Sequence, residues 1–380
     1  MDFNLSKEHL LAQQLFRDFA ENEVKPLAAE LDEEEKFPVE TVKKLAKYGF
    51  MGIPMPKEYG GQGADTLAYV ISVEELAKVC LTTTTIYTAH TSLCAFPISQ
   101  FGTEEQKQKY LIPLCKGVKL GAFGLTEPGA GTDAAMQQTK AVLQGDHYVL
   151  NGSKIFITNS GYADTYIIIA MTDKSKGIRG CSAFIVESSF PGFSVGKKEK
   201  KMGIRGSTAC ELIFKNCIVP KENLLGKEGK GFGIAMKSLD VGRIGIAAQA
   251  LGLAEGAFEL CCKYVKERKQ FGKRISEFQN TQFELADMRT KIEAAQLLVY
   301  KVANLKDNNL PYAPNAAMAK LYCSELASDV TRRCLQLFGG YGYTREYPIE
   351  RMMRDAKITE IYEGTSEVQK MVISSWLKVN

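Results

Sequence analysis

The chain has 380 residues, 45% of them hydrophobic and 24% charged, with 48 Lys+Arg against 44 Asp+Glu. That length suits two or three domains or one large multi-layer unit, and the balance excludes disorder and fibrous repeats. A net charge of +4 is too small an excess to argue for nucleic acid.

The opening Met1-Asp2-Phe3-Asn4-Leu5 carries acid and amide where a signal peptide has basic and apolar stretches, so a cytoplasmic location is expected. Residues 1–118 read as a helical domain. Apolar spacing predicts helix over 5–31 with a break at Pro26, and Pro38 closes the acidic turn that follows. Helices are predicted over 66–80 and over 103–115, the second with Thr103 as N-cap ahead of Glu104 and Glu105. Residues 119–227 read as an all-β domain. Asn151-Gly152 between Tyr148-Val149-Leu150 and Lys154–Thr158 predicts a hairpin with a type I′ turn. Further strands are expected at 166–171, 182–187 and 211–214. No apolar run approaches the roughly 18 residues of a membrane span. Residues 228–380 return to helix, with long segments at 244–269, 279–306 and 315–338 that suit an antiparallel four-helix bundle. The fold class is therefore α+β, a helical domain, a barrel- or sandwich-like β domain and a bundle.

The cysteines form no C-x-x-C, and Cys80, Cys261, Cys323 and Cys334 fall inside helical patterns as small packing residues; Cys261-Cys262 reads as two reduced packing residues or a redox pair. His9, His90 and His147 are the only histidines and have no zinc spacing, so no metal site is expected.

Five segments carry chemistry, each with a plain structural alternative. Leu125-Thr126-Glu127-Pro128-Gly129-Ala130-Gly131-Thr132-Asp133 is either a Pro/Gly turn or a glycine loop against a cofactor. Phe156-Ile157-Thr158-Asn159 is a strand with a polar end. Glu267-Arg268-Lys269-Gln270-Phe271-Gly272 is a cationic helix end complementing the dipole. Gln336-Leu337-Phe338-Gly339-Gly340-Tyr341-Gly342 reads as a helix C-cap. In the stretch from Arg354 to Glu367, Glu363 precedes Gly364-Thr365-Ser366, where Ser366 and Gln369 suit a capping box. Lys197, Lys198, Lys200 and Lys201 form a basic turn, read as a solvated loop or a contact for CoA phosphates or an acidic partner.

In their order and spacing, these segments resemble the acyl-CoA dehydrogenase family over essentially the whole chain, nearest the short-chain, butyryl-CoA members of anaerobic bacteria. The resemblance implies FAD. Phe123, Leu125, Thr126, Gly131 and Thr132 would lie along its isoalloxazine ring and pyrophosphate. Phe156, where many relatives carry Trp, and Thr158 would cover the other side. Arg268, Phe271, Gln279, Gln336, Gly339 and Gly340 of a neighbouring subunit would hold the pyrophosphate and adenosine end, and Thr365 and Glu367 would close the site. A shared cofactor implies an oligomer, a homotetramer built as a dimer of dimers.

The implied reaction is α,β-dehydrogenation of a short-chain acyl-CoA, or the reverse enoyl-CoA reduction, with electrons exchanged with an electron-transferring flavoprotein. Glu363 would be the base. Some relatives carry theirs at the position of Gly242, which cannot abstract a proton. Thr132, Asp240, Arg243 and Gly364 would contact substrate; an i,i+3 ion pair is the alternative for Asp240 and Arg243. Residues 84–93 should approach the acyl tail, with Ile86 and Tyr87 shortening the pocket, although Tyr87 also allows a branched or aryl tail. Three other readings compete. An acyl-CoA oxidase would be much longer, a nucleic-acid-binding relative would need a basic extra domain, and a non-catalytic acyl-CoA or flavin scaffold would lack Glu363.

Overall fold

The computed structural model describes residues 4–378; Met1–Phe3, on which the leader reading partly rests, lie outside them. The predicted N-terminal helix is broken as expected. Lys7–Phe19 is α-helical (α1), a π-helical turn and a short 3₁₀ turn carry the chain through Pro26, and helix resumes at Ala28–Glu33. Thr66–Ala77 (α2) starts at Asp65, whose side chain accepts from the Ala68 N–H; it is buried on nearly all sides. Leu81–Thr88 (α3) follows and runs into the π-helical segment Ala89–Ala95. Thr103 caps its helix with a capping box, its partner being Gln106 rather than either neighbouring glutamate.

Eight strands, β1 (Gly121–Gly124), β2 (Lys140–Gln144), β3 (His147–Thr158), β4 (Thr165–Met171), β5 (Cys181–Glu187), β6 (Phe193–Lys198), β7 (Ala209–Pro220) and β8 (Leu224–Leu225), form one branched sheet. Their order is β6-β7-β3-β2-β4-β5-β8, with β1 parallel to β4. β4 shows why its apolar run has no polar face. Ile167 and Ile169 point to helices on one side, while Tyr166, Ile168 and Ala170 point into the core between β3 (His147–Thr158), β5 (Cys181–Glu187) and β7 (Ala209–Pro220). Tyr148 of β3 meets Phe184 of β5 edge-on at 4.9 Å across that core.

The hairpin expected at Asn151-Gly152 is not there. β3 runs straight through both residues, and the two-residue turn is Gly145-Asp146, between β2 (Lys140–Gln144) and β3. Asn151-Gly152 lies opposite a bulge in β7, whose extra residue falls at Lys215-Asn216, with Asn216 at φ 50°. Asn151 Oδ1 accepts from the Asn216 N–H at 2.8 Å, and Gly152 has φ 144° with Thr139 pressed against it. The positive φ that makes Asn-Gly a turn signal serves equally in a bulge, and the longer partner strand decided between them.

Helices Gly231–Glu267 (α4), Gln279–Asp307 (α5), Ala313–Phe338 (α6), Ile349–Thr359 (α7) and Ser366–Leu377 (α8) complete the chain. α4 is long and apolar enough to cross a membrane, against the sequence expectation, but 83% of its most apolar window is buried inside the protein. One core joins α2, α4, α5, α6 and α7, so the N-terminal helices and the bundle are packed as one body.

α4 approaches α2 through glycine. A Cβ on Gly252 would collide with the Glu74 carbonyl, and one on Gly256 with that of Lys78. Backbone atoms of a packed helix cannot swing away, so Gly252→Val should lower stability by about 3 kcal/mol or more. Thermal unfolding against Gly233→Val, whose added Cβ meets nothing within 4 Å, is the control.

Candidate active site

A cavity of about 890 Å³ lies where the sheet, α3, α4 and the loop before α8 meet. Phe123, Leu125, Thr126, Gly131 and Thr132 line it from the first motif, Phe156 and Thr158 from β3, Arg243 from α4, and Glu363, Gly364 and Thr365 from the last loop. The structure therefore brings together most of the residues singled out in sequence.

Local backbone explains how each is aimed. β3 carries a bulge of its own between Lys154 and Ile157, where Phe156 has φ 59°. An irregularity of this kind redirects a side chain, and Phe156 is left 62% exposed at the cavity. Asn159, also at positive φ, ties the end of β3 inward, its Nδ2 donating to the Ile86 and Gly121 carbonyls at 3.0 Å each.

The glycine loop stands on a buried charge. Lys154 Nζ donates to the Leu125 carbonyl at 3.0 Å, to Glu127 Oε1 at 2.7 Å and to Gln137 Oε1 at 3.0 Å. Glu127 in turn accepts the backbone N–H groups of Gln138 at 2.5 Å and Thr139 at 3.0 Å. Burial pulls the Lys154 ammonium down to about 8, opposed by Glu127. Burial also works against the charge on Glu127, yet Lys154 and these donors outweigh it and hold its carboxyl below the usual range. Neither Glu127 nor Lys154 lines the cavity. Above them an added Cβ on Gly129 or Gly131 meets nothing within 4 Å, which leaves the loop open toward a ligand.

Glu363 sits in the left-handed region at φ 52°, with Gly364 following at φ 97°. A non-glycine residue in that region is held there by its surroundings. Gln369 Nε2 donates to the Gly364 carbonyl at 2.8 Å, as does Lys320 Nζ at 2.7 Å. Thr365 caps α8, its side chain accepting from the Val368 N–H; this is the role expected of Ser366, which is buried. Glu363 as a residue is half-buried, but its Oε2 is closed off from solvent and has no partner in the protein; Arg243 Nε is in the same condition. Burial pushes the Glu363 carboxyl up to about 7, with Lys320 and then Arg243 pulling it back. A Cβ at position 242 would fall on Glu363 Oε2, so Gly242 marks the space the carboxylate occupies.

Other expected residues lie elsewhere. Asp240 is half-buried beside the cavity and pairs with Arg243 at 2.5 Å, so the ion pair and the cavity position of Arg243 hold together. Glu367 is exposed in the first turn of α8 and does not line the cavity. Arg268, Phe271, Gln279, Gln336, Gly339 and Gly340 are exposed and outside this chain's cavity. The segments carrying Arg268 and Gly339 nevertheless meet at one end of the bundle, where Tyr264 stacks on Phe338 at 4.0 Å and the Arg268 guanidinium lies 5.3 Å from the Tyr341 ring.

Ile86 and Tyr87 turn away from the cavity. Both are fully buried, and Tyr87 packs on Phe50 and Tyr69 with its hydroxyl 3.0 Å from Ser72 Oγ. The residues of 84–93 that do line it are Thr85, Thr88, Ala89 and Leu93. Behind them Gln249 Nε2 donates to Thr88 Oγ1 and the Tyr362 hydroxyl donates to Gln249 Oε1. The basic turn is more than a solvated loop. Lys198 and Lys201 donate to the Glu35 and Ser207 carbonyls, and Lys200 and Lys201 line the cavity. Among the described residues, no group of three metal-ligating side chains is found.

Sequence reasoning missed Lys154, Lys320 and Gln249. Lys154 sits an even number of residues from the inward Leu150, and Lys320 one turn from Ala316 on the buried face of α6. A charge on a buried face was the available signal.

Three adjoining segments match three profiles of one family: "Acyl-CoA dehydrogenase, N-terminal domain" over 6–118, the middle domain over 122–217 and the C-terminal domain over 229–378. The chain belongs to the acyl-CoA dehydrogenase family. It is 66% identical over 374 residues to the short-chain specific acyl-CoA dehydrogenase of Clostridium acetobutylicum, covering 98% of this chain and 99% of that one. The solved butyryl-CoA dehydrogenase of Megasphaera elsdenii superposes with a TM-score of 0.98 at 53% identity, covering 99% of this chain and all of that one. A chain solved in work on the electron transferring flavoprotein of Acidaminococcus fermentans and flavin-based electron bifurcation gives 0.99 at 56% identity, with both chains fully covered.

The flavin of this family fits the residues present: an open glycine loop on a rigid base, an exposed aromatic ring, and buried polar atoms without partners in one cavity. Lys154→Met breaks the base of that loop and strands the Glu127 carboxylate. It should cost about 3–5 kcal/mol and lower the flavin content of purified protein, read from absorbance per chain.

Proposed function

We propose that this protein oxidises a short-chain acyl-CoA to its trans-2-enoyl-CoA, or reduces the enoyl-CoA in the opposite direction, with Glu363 as the base. The observation that carries the reading is the Glu363 Oε2 atom, shut off from water and unpartnered in the cavity. A carboxyl pushed up to about 7 is matched to taking a proton near neutral pH. FAD, when bound between the glycine loop and Phe156, supplies the acceptor or donor of hydride. The protein supplies the rest. Glu363 takes the α-proton, its backbone N–H faces the thioester carbonyl, and Gly364 allows the loop to come close. Phe123, Leu93 and Ile246 line the cavity with apolar surface that excludes water and strengthens every charge inside it.

The acyl tail is short and uncharged. Thr85, Thr88, Ala89 and Leu93 line the cavity with no cation among them, so a tail carboxylate entering there would be buried unpaired. The hydrogen-bonded Gln249 behind Thr88 supports a closed end. We assign electron exchange to an electron-transferring flavoprotein, in keeping with the Acidaminococcus likeness. The assembly is a homotetramer in which Arg268, Phe271, Gln279, Gln336, Gly339 and Gly340 complete the FAD site of a neighbouring chain. Phe271, Phe283 and Trp376 are exposed on the bundle, apolar surface that an interface would cover.

Glu363→Gln should keep the fold and its flavin while losing about three decades of anaerobic flavin reduction by butyryl-CoA. A Glu at 242 in a Glu363→Gly background should recover part of it. Undiminished reduction by folded Glu363→Gln would eliminate the base. In the wild type a base must be unprotonated, so kcat/KM should rise with pH through a midpoint at about 7. Gln249→Ala should raise the preference for octanoyl- over butyryl-CoA roughly tenfold, measured as the ratio of the two kcat/KM values.

A further inference from the structure

We propose that Lys320 is the positioning residue of the catalytic loop, its buried ammonium holding the Gly364 carbonyl and thereby fixing where the Glu363 carboxylate points and how readily it ionises. The inference rests on Glu363 being the base. Lys320 lies in the middle of α6 with no exposed surface, and it does not line the cavity. Its Nζ donates to the Gly364 carbonyl at 2.7 Å. A buried ammonium costs several kcal/mol in lost hydration, which a single neutral carbonyl does not offset. Burial therefore pulls the Lys320 ammonium down to about 8, and nearby carboxylates offset part of that cost. Glu363 is foremost, with Glu360 and Glu367 adding to it and Arg243 opposing.

The geometry separates two effects that a direct ion pair would merge. Lys320 pins the peptide after Glu363, and Gln369 donates to the same carbonyl at 2.8 Å. Two consecutive positive-φ residues are thereby held against relaxation. Meanwhile Glu363 Oε2 accepts nothing in the protein, so the carboxylate has the charge of Lys320 nearby while its reactive oxygen stays free for a substrate proton. A salt bridge would have occupied that oxygen and made it a poor base.

The other groups facing Glu363 do not replace Lys320. Arg243 on α4 is paired with Asp240 at 2.5 Å and pulls the Glu363 carboxyl down less than Lys320 does. Tyr69 on α2 and Tyr362 beside Glu363 keep their hydroxyl protons, burial holding both well above the ordinary tyrosine range. Removing the Lys320 charge therefore makes the Glu363 carboxyl harder to ionise, and the pH at which it becomes a base moves up.

The test is anaerobic stopped-flow reduction of the FAD-loaded enzyme by butyryl-CoA from pH 6 to 9. Lys320→Met should lower the plateau kcat about ten- to a hundredfold by misplacing the loop, with KM within about threefold. It should also move the kcat/KM midpoint up by about one pH unit. Lys320→Gln, which keeps a donor but no charge, should show the same midpoint shift with a smaller loss of kcat, and Lys320→Arg should return the midpoint toward wild type. A purely structural role would lower the rate without moving the midpoint. An unchanged midpoint in a folded, flavin-loaded Lys320→Met overturns the proposal; if that variant does not fold, Lys320→Gln decides on the same criterion. Glu363→Gln run beside them keeps the two readings apart. If it reduces flavin normally, the base assignment fails. If it is inactive while the Lys320 variants keep the wild-type midpoint, the positioning role alone fails.

Discussion

Much of the site's geometry follows from how closely α4 approaches the N-terminal helices. Gly252 and Gly256 let it rest on the carbonyls of α2 and the turn after it; Gly245 leaves room for the Tyr69 hydroxyl, 3.1 Å from where its Cβ would be. Gly242, Gly245, Gln249, Gly252 and Gly256 recur at helical spacing, so they form one face. The contact that fuses the N-terminal helices to the bundle therefore continues without interruption into the active site. At its end, the missing side chain of Gly242 becomes the seat of the Glu363 carboxylate. Packing and chemistry share a single ridge.

Two buried lysines support the two walls of the cavity, in different ways. Lys154 is saturated, with three oxygens around it and a carboxylate that is itself bound to two backbone donors. Such a fully satisfied network is rigid, as a platform for a cofactor loop should be. Lys320 donates to one carbonyl and influences its carboxylate only at a distance. One lysine is spent on immobility, and the other leaves its partner reactive.

The long helices and the strand at β4 were legible because periodicity reports burial, and burial decides both. The site was legible where motifs were continuous in sequence, as in Thr126–Thr132 and Glu363–Thr365. Asn151-Gly152 misled because positive φ is common to turns and bulges, and only the partner strand distinguishes them. Tyr87 misled because helical spacing places residues on a face without saying which face meets the cavity. Lys154, Lys320 and Gln249 were illegible for a related reason: each acts on residues at least 17 positions away, and such pairings exist only after folding.

The space shared by positions 242 and 363 bears on where a carboxylate can stand in this cavity. A side chain added on α4 would first meet the far end of the Glu363 side chain, so it could be taken up only if that carboxylate turned aside. A base moved from the loop to the helix would thus take over a space that the loop side chain has to vacate, which couples the two positions through volume before it couples them through chemistry.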